Sequence, residues 1–196
     1  AKSLLAESVG KTFNMVSVDT DTSTNDCVML FSTGTKQVKI EQPNVRRKVV
    51  ELLSEACGSL AKQIVKDGEG ATKVIEAVVK NASSLEDARR IAKSIVDSPL
   101  VKTAIHGADP NWGRVIMAIG KTPEITIEPE KVKVFFEDTL VFSGGAPEKF
   151  GRKKLKSKLE KNEVVITVDM GIGDHTATAW GCDLTHGYID INVAYN

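Results

Sequence analysis

The feature that most constrains this chain is one long amphipathic stretch. From Val45 the apolar residues Val49, Leu52, Leu53, Ala56, Leu60, Ile64 and Val65 recur at helical spacing, with Pro43 ahead of them and Gly68 behind. Proline suits the first turn of a helix, where its missing N–H has no partner to lose, and glycine suits the exit. A helix with one apolar stripe needs other elements to cover that stripe. Downstream, Val74 to Val79 reads as a strand, and Ser83 or Ser84 can cap a second helix through Ala88, Ile91, Ala92 and Ile95, stopped before Pro99. With a strand expected at Cys27 to Phe31, the order is strand, helix, strand, helix.

Around this nucleus the pattern is mixed. Lys2 to Lys11 fits the end of a short helix. Phe13 to Val18 fits a strand, and the polar run Asp19 to Asp26 would join it to Cys27 to Phe31 as a hairpin or close pair. After an apolar segment, Leu100 to Ile105, the run His106-Gly-Ala-Asp-Pro-Asn-Trp-Gly-Arg114 is turn chemistry throughout, and Val115 to Gly120 is apolar again. Strands are predicted at Ile125 to Ile127, Val132 to Phe136 and Leu140 to Phe142, then a basic helix from Pro147 to Lys161, then alternating strands at Val164 to Asp169 and Tyr188 to Val193. No repeat or linker divides residues 1–196, so one α/β or α+β unit is expected, with several antiparallel strands and helices on its faces.

Composition removes several function classes. Twenty-six Lys plus Arg balance 26 Asp plus Glu, which excludes the broad basic surface of a general nucleic-acid or acidic-membrane binder. Apolar runs such as Val115 to Ile119 are too short to span a bilayer. Cys27, Cys57 and Cys182 form no C-x-x-C pair, which favours a reducing, cytoplasmic setting over a disulfide framework or zinc knuckle. His106, His175 and His186 lack metal-ligand spacing, and no G-x-S-x-G elbow is present, so neither a metal, a cofactor nor a serine triad is expected. Trp112 and Trp180 read as packing residues, Arg152 to Leu159 as the solvated face of a helix, and Gly171-Ile-Gly-Asp-His175 as a turn.

Two polar segments stay open on composition alone. Asp19-Thr-Asp-Thr-Ser-Thr-Asn25 begins like a calcium loop, but Thr24 and Leu30 stand where that loop needs Gly and Glu. Its short hydroxyls and carboxylates either hold a strained loop or line a site. Asp67-Gly-Glu-Gly-Ala-Thr-Lys73 is neither a Walker A loop nor a dinucleotide fingerprint; it is either a glycine C-cap or a turn that brings backbone and the Glu69 carboxylate to a ligand.

Taken together, four segments resemble one family. Asp21-Thr-Ser-Thr-Asn-Asp26, Asp67 to Lys73, Ser98 to Arg114, and Ala179-Trp-Gly-Cys-Asp-Leu-Thr185 with Ile191-Asn192 are similar, in order and over nearly the whole chain, to the β chain of the ornithine acetyltransferases, also called glutamate N-acetyltransferases. The resemblance implies a layered αββα architecture with mixed and antiparallel strands. It also implies a precursor that cuts itself before a threonine, and an α chain of the same precursor as partner in an α2β2 heterotetramer. That threonine would take the acetyl group of N-acetylornithine and pass it to glutamate, in arginine biosynthesis; some members also accept acetyl-CoA.

A threonine hydroxyl needs a base to accept its proton, and a freed α-amine with a reference pKa near 8 can serve on the same residue. The family's nucleophilic threonine is expected upstream of Ala1, so no residue here is expected to be the catalytic one. By position, Glu69 matches the family's substrate-binding glutamate and Asn192 its C-terminal binding asparagine, while the family's last hydroxyl falls beyond Asn196. Asp109, Asn111 and Arg114 are assigned to shaping the site. Two other readings compete: a related N-terminal-nucleophile amidohydrolase that passes the acyl group to water, and a non-catalytic amino-acid-binding subunit.

Overall fold

The computed structural model describes residues 1–195. Seven helices, α1 (Lys2–Val9), α2 (Pro43–Lys66), α3 (Leu85–Val96), α4 (Pro99–His106), α5 (Trp112–Gly120), α6 (Arg152–Leu159) and α7 (His186–Ala194), flank one sheet. Its strands are β1 (Val16–Ser17), β2 (Val74–Ala82), β3 (Lys133–Phe136), β4 (Thr139–Ser143), β5 (Ala146–Pro147), β6 (Glu163–Asp169) and β7 (His175–Cys182). They lie in the order β1-β7-β2-β6-β3-β4-β5. The sheet is mixed: β2 runs parallel to β6 and antiparallel to β7, and β1 runs parallel to β7.

Alternation along β2 separates its two faces. Ile75, Ala77 and Val79 are fully buried and pack with Ile91 and Ile95 of α3 in the main core. Ser84 starts α3 as its sequence predicts, its hydroxyl accepting from the Asp87 amide at 3.0 Å. On the opposite face α2 covers one end, where Val65 meets Val74 and Cys182. Val78, Val165, Thr167, Thr178 and Trp180 stay half-buried.

Several sequence-based expectations are corrected. Phe13 to Met15 form a 3-10 turn, only Val16–Ser17 pairs, and Cys27 to Phe31 forms no strand: Met29 is 67% and Phe31 84% exposed. Apolar residues form a strand only where a neighbouring strand receives them, and none lies beside this run. Ile125 to Ile127 packs on the core as irregular chain rather than as a strand. Leu100 to Ile105 lies in α4, and Trp112 opens α5 inside the segment read as turn, because the Asn111 side chain caps Arg114 N at 3.3 Å. The basic helix is confined to Arg152–Leu159.

The two largest misreadings concern the end of the chain. Tyr188 to Val193 is helical, within α7: β7 is already paired on both sides, by β1 and β2, and among the described residues this segment pairs with no strand. The turn at Gly171 stands as predicted, yet the strand it leads into, His175–Cys182, is central and was not anticipated. Its Ala and Gly residues are weak strand formers, but they let α3 approach closely: a Cβ on Gly181 would stand 2.8 Å from the Cβ of Val96.

Candidate functional site

Glu69 and Asn192, both drawn from the resemblance, meet. The Asn192 amide Nδ2 donates to Glu69 Oε2 at 2.6 Å across 123 residues of sequence, and to the Tyr188 carbonyl at 2.9 Å. The first bond joins the turn between α2 and β2 to the C-terminal helix. The second, one helical turn back, fixes which way the asparagine points.

The backbone brings these elements together through an unusually close approach. Gly70 has φ +67°, and a Cβ there would lie 2.3 Å from the Tyr188 amide nitrogen and 2.5 Å from the Gly187 carbonyl carbon. The Thr185 hydroxyl donates to the Gly70 carbonyl at 2.7 Å. Position 70 therefore needs glycine on two counts, space and conformation. The close approach at Gly70 is to the backbone of α7's first turn, within this chain.

The Asp19 segment holds itself through local bonds and is joined to α7 through Tyr188. Asp19 Oδ1 accepts from the Asp21 amide at 3.0 Å, and the Ser23 hydroxyl accepts from Asn25 and Asp26. The other Asp19 oxygen accepts the Tyr188 hydroxyl at 3.0 Å. Burial and the Asp19 carboxylate to which it donates push the Tyr188 phenol above its ordinary value, so it stays protonated at neutral pH. The cluster of Glu69, Asn192, Tyr188 and Asp19 is rich in acceptors, which suits a ligand carrying an amino or ammonium group.

Behind the Glu69 turn lies a network that sequence reading did not single out. The Asp183 side chain is wholly buried and accepts from Thr72 N (2.7 Å), Thr72 Oγ1 (2.5 Å) and Lys73 N (2.8 Å), with His106 Nδ1 at 2.9 Å. Burial alone would raise this carboxyl; the Thr72 hydroxyl, the two amides and His106 outweigh it and hold the carboxyl below its ordinary value. Lys73, pushed down by burial, donates to the carbonyls of Ile105, His106 and Leu159. Lys102, only 2% exposed, ties the Val18 carbonyl to that of Cys182. These anchors leave one signal in the sequence: Thr72 and Lys73, Lys102 and His106, and Asp183 fall inside three of the four motifs.

A depressed folded pKa fixes the direction of the pH dependence. The Asp183 contribution is complete above about pH 4, the unfolded value, and is lost as pH falls through the folded value. In thermal unfolding, Asp183→Asn should be less stable than the parent at pH 6, by about 2 kcal/mol, and the gap should narrow toward pH 3. A gap independent of pH would show that the carboxylate is not held this way.

Asp109, Asn111 and Arg114, assigned to shaping the site, bond elsewhere. Asn111 Nδ2 donates to Asp109 Oδ2, Arg152 pairs with Asp109, and Arg114 donates to the Leu100 carbonyl and Thr103. They brace the corner between α4 and α5, and α4 reaches the network behind the Glu69 turn through His106, the Ile105 carbonyl and Lys102. Trp112 stacks on Phe142 at 5.2 Å and Trp180 donates to Glu76, so both are packing residues as read. Among the described residues no group of three or more His, Cys, Asp or Glu side chains is arranged to hold a metal ion, and no helix is long and apolar enough to cross a membrane.

The ArgJ family model matches residues 1–196. The chain belongs to the ArgJ family. It is 43% identical over 194 residues to the arginine biosynthesis bifunctional protein ArgJ of Bacillus cereus, covering 97% of this chain and 47% of that protein. It is 42% identical to the glutamate N-acetyltransferase of Methanopyrus kandleri, covering 97% of this chain and 50% of that one. The chain thus spans about half the length of the curated ArgJ relatives it matches. The crystal structure of ArgJ from Bacillus halodurans superposes with a TM-score of 0.93 at 40% identity, covering 99% of this chain and 92% of the crystallised one. The mixed α/β fold expected from the sequence is therefore the ArgJ fold.

Proposed function

We propose that residues 1–196 form the β chain of a glutamate N-acetyltransferase and supply its amino-acid-binding groups, Glu69 and Asn192. The observation that carries this reading is the 2.6 Å contact between those two side chains, which gathers two matched motifs into one acceptor-rich cluster. Lengths support it: the chain covers 92% of one crystallised ArgJ chain but 47% of a full-length relative, as a protein divided near its middle would. The half-buried sheet face around Val78, Val165 and Thr178 fits a second sheet layer from an α chain of the same precursor. The assembly would be α2β2 and cytoplasmic.

In the reaction, a threonine in the part of the protein ahead of Ala1, released by self-cleavage, attacks the acetyl carbonyl of N-acetylornithine. Its proton passes to a base, its oxygen forms an ester, and ornithine leaves as the amine. The amino group of glutamate then attacks that ester, giving N-acetylglutamate and restoring the hydroxyl. Glu69 holds an amino or ammonium group of each amino acid in turn, and Asn192 orients Glu69.

The test is mass analysis of the complete native protein after brief exposure to N-acetylornithine, then to glutamate. A mass gain of one acetyl group on a chain-terminal threonine, removed by glutamate, is the expected result. Removal by water at the same rate would favour an amidohydrolase, and no adduct would leave a binding subunit. Acetyl-CoA supplied as donor in the same assay reads the donor range.

A further inference from the structure

The Glu69 turn is held from behind. Beyond Gly70, three of the four partners of the buried Asp183 carboxylate lie on Thr72 and Lys73, two and three residues after Gly70, and the Lys73 carbonyl accepts the Asp183 amide at 3.0 Å. The fourth partner is His106, whose ring is 42% exposed and closes the network on its outer side. A carboxylate is an acceptor only, so the imidazole presents N–H at Nδ1. Asp183 also leads, through Thr185 and its bond to the Gly70 carbonyl, into α7 and Asn192. The Asp183 side chain therefore fixes the Glu69 half of the contact, the chain leading on from it carries the Asn192 half, and His106 is the one partner contributed from outside them.

We infer that Asp183 and His106 are a positioning pair for the binding carboxylate: they set Glu69 through Thr72 and Lys73 without touching the substrate. The inference rests on the proposed role of Glu69. Substrate binding by Glu69 needs its carboxylate held in place, and a turn containing two glycines does not hold itself. Loss of the His106 N–H lets the carboxylate, the turn and Glu69 relax together, and the loss falls on binding rather than on the rate of the bound complex.

The experiment is steady-state kinetics with N-acetylornithine and glutamate on the complete two-chain protein, in a cycle of His106→Leu, Glu69→Gln and the double variant, with His106→Asn and Thr72→Val alongside. His106→Leu should raise KM for N-acetylornithine by about tenfold with kcat changed less than about threefold. His106→Asn, whose amide nitrogen can occupy the Nδ1 position, should recover most of that loss. Thr72→Val should shift KM in the same direction. In the double variant, His106→Leu should add little to Glu69→Gln, because it acts through Glu69.

Additive effects, a fall in kcat with KM unchanged, or no rescue by asparagine would overturn the positioning role. An unchanged KM in Glu69→Gln would overturn the site reading and this inference with it. An impaired Glu69→Gln beside normal His106 and Thr72 variants would overturn only the inference. Should His106→Leu fold poorly, the Thr72→Val and His106→Asn pair carries the same comparison.

Discussion

Gly70→Ala is expected to destabilise the protein more than any other single change at the site, and to remove binding with it. The left-handed backbone there would cost about 1–2 kcal/mol for a residue with a Cβ. The steric clash costs more: the new carbon would sit 2.3 Å from the Tyr188 amide nitrogen and 2.5 Å from the Gly187 carbonyl carbon. Both are backbone atoms, so no side-chain rotation relieves the collision, and the first turn of α7 must move away from the Glu69 turn. A total of about 4 kcal/mol is expected, read as a lower denaturant midpoint. In whatever folded protein remains, Asn192 and Glu69 separate. Gly144→Ala is the control, since its φ is +58° yet nothing stands within 4 Å of its Cβ position; it should cost only the backbone strain. Equal losses at the two positions would show that crowding at Gly70 is not what matters.

That contact also shows what a sequence can and cannot reveal. α2, β2 and α3 were legible as elements because each has an apolar run and its own boundary residues, Pro43, Gly68, Ser84 and Pro99, but the buried face of α2 is Val50, Cys57, Ala61 and Val65, while Leu52, Leu60 and Ile64 of the expected stripe are exposed. β7 was not legible, because its identity as a central strand comes from neighbours on both sides and from the need for small residues beneath α3, neither of which is local. α7 was misread for the complementary reason. Its alternating apolar residues look like a strand, yet Ile189 and Val193 face outward while Tyr188 and Asn192, one turn apart, face Asp19 and Glu69. Glu69 and Asn192 were found only through the resemblance; spacing alone left the Asp67 to Lys73 turn open. The Asp183 network escaped because a buried carboxylate with four donors is defined by side chains brought from three separate segments, not by any run of residues.

Glu69→Ala in the complete protein is expected to produce the largest loss of activity among changes that leave the fold intact. Glu69 is half-buried at a turn, and among the described residues its one side-chain hydrogen bond is to Asn192, which keeps the Tyr188 carbonyl as a second acceptor. Truncation therefore orphans no buried group, and the urea midpoint should stay close to that of the parent. On the proposed role of Glu69, what disappears is a charged acceptor for the substrate's amino or ammonium group, worth about 1.5–3 kcal/mol, or roughly 10- to 100-fold in kcat/KM. Asn192→Ala removes a neutral amide and should cost about 3- to 10-fold. Because the two side chains touch, the double variant should lose less than the product of the single losses. Parent-like kinetics for Glu69→Ala, with folding unchanged, would mean that the cluster at the end of α7 is structural and that the amino-acid substrates bind elsewhere.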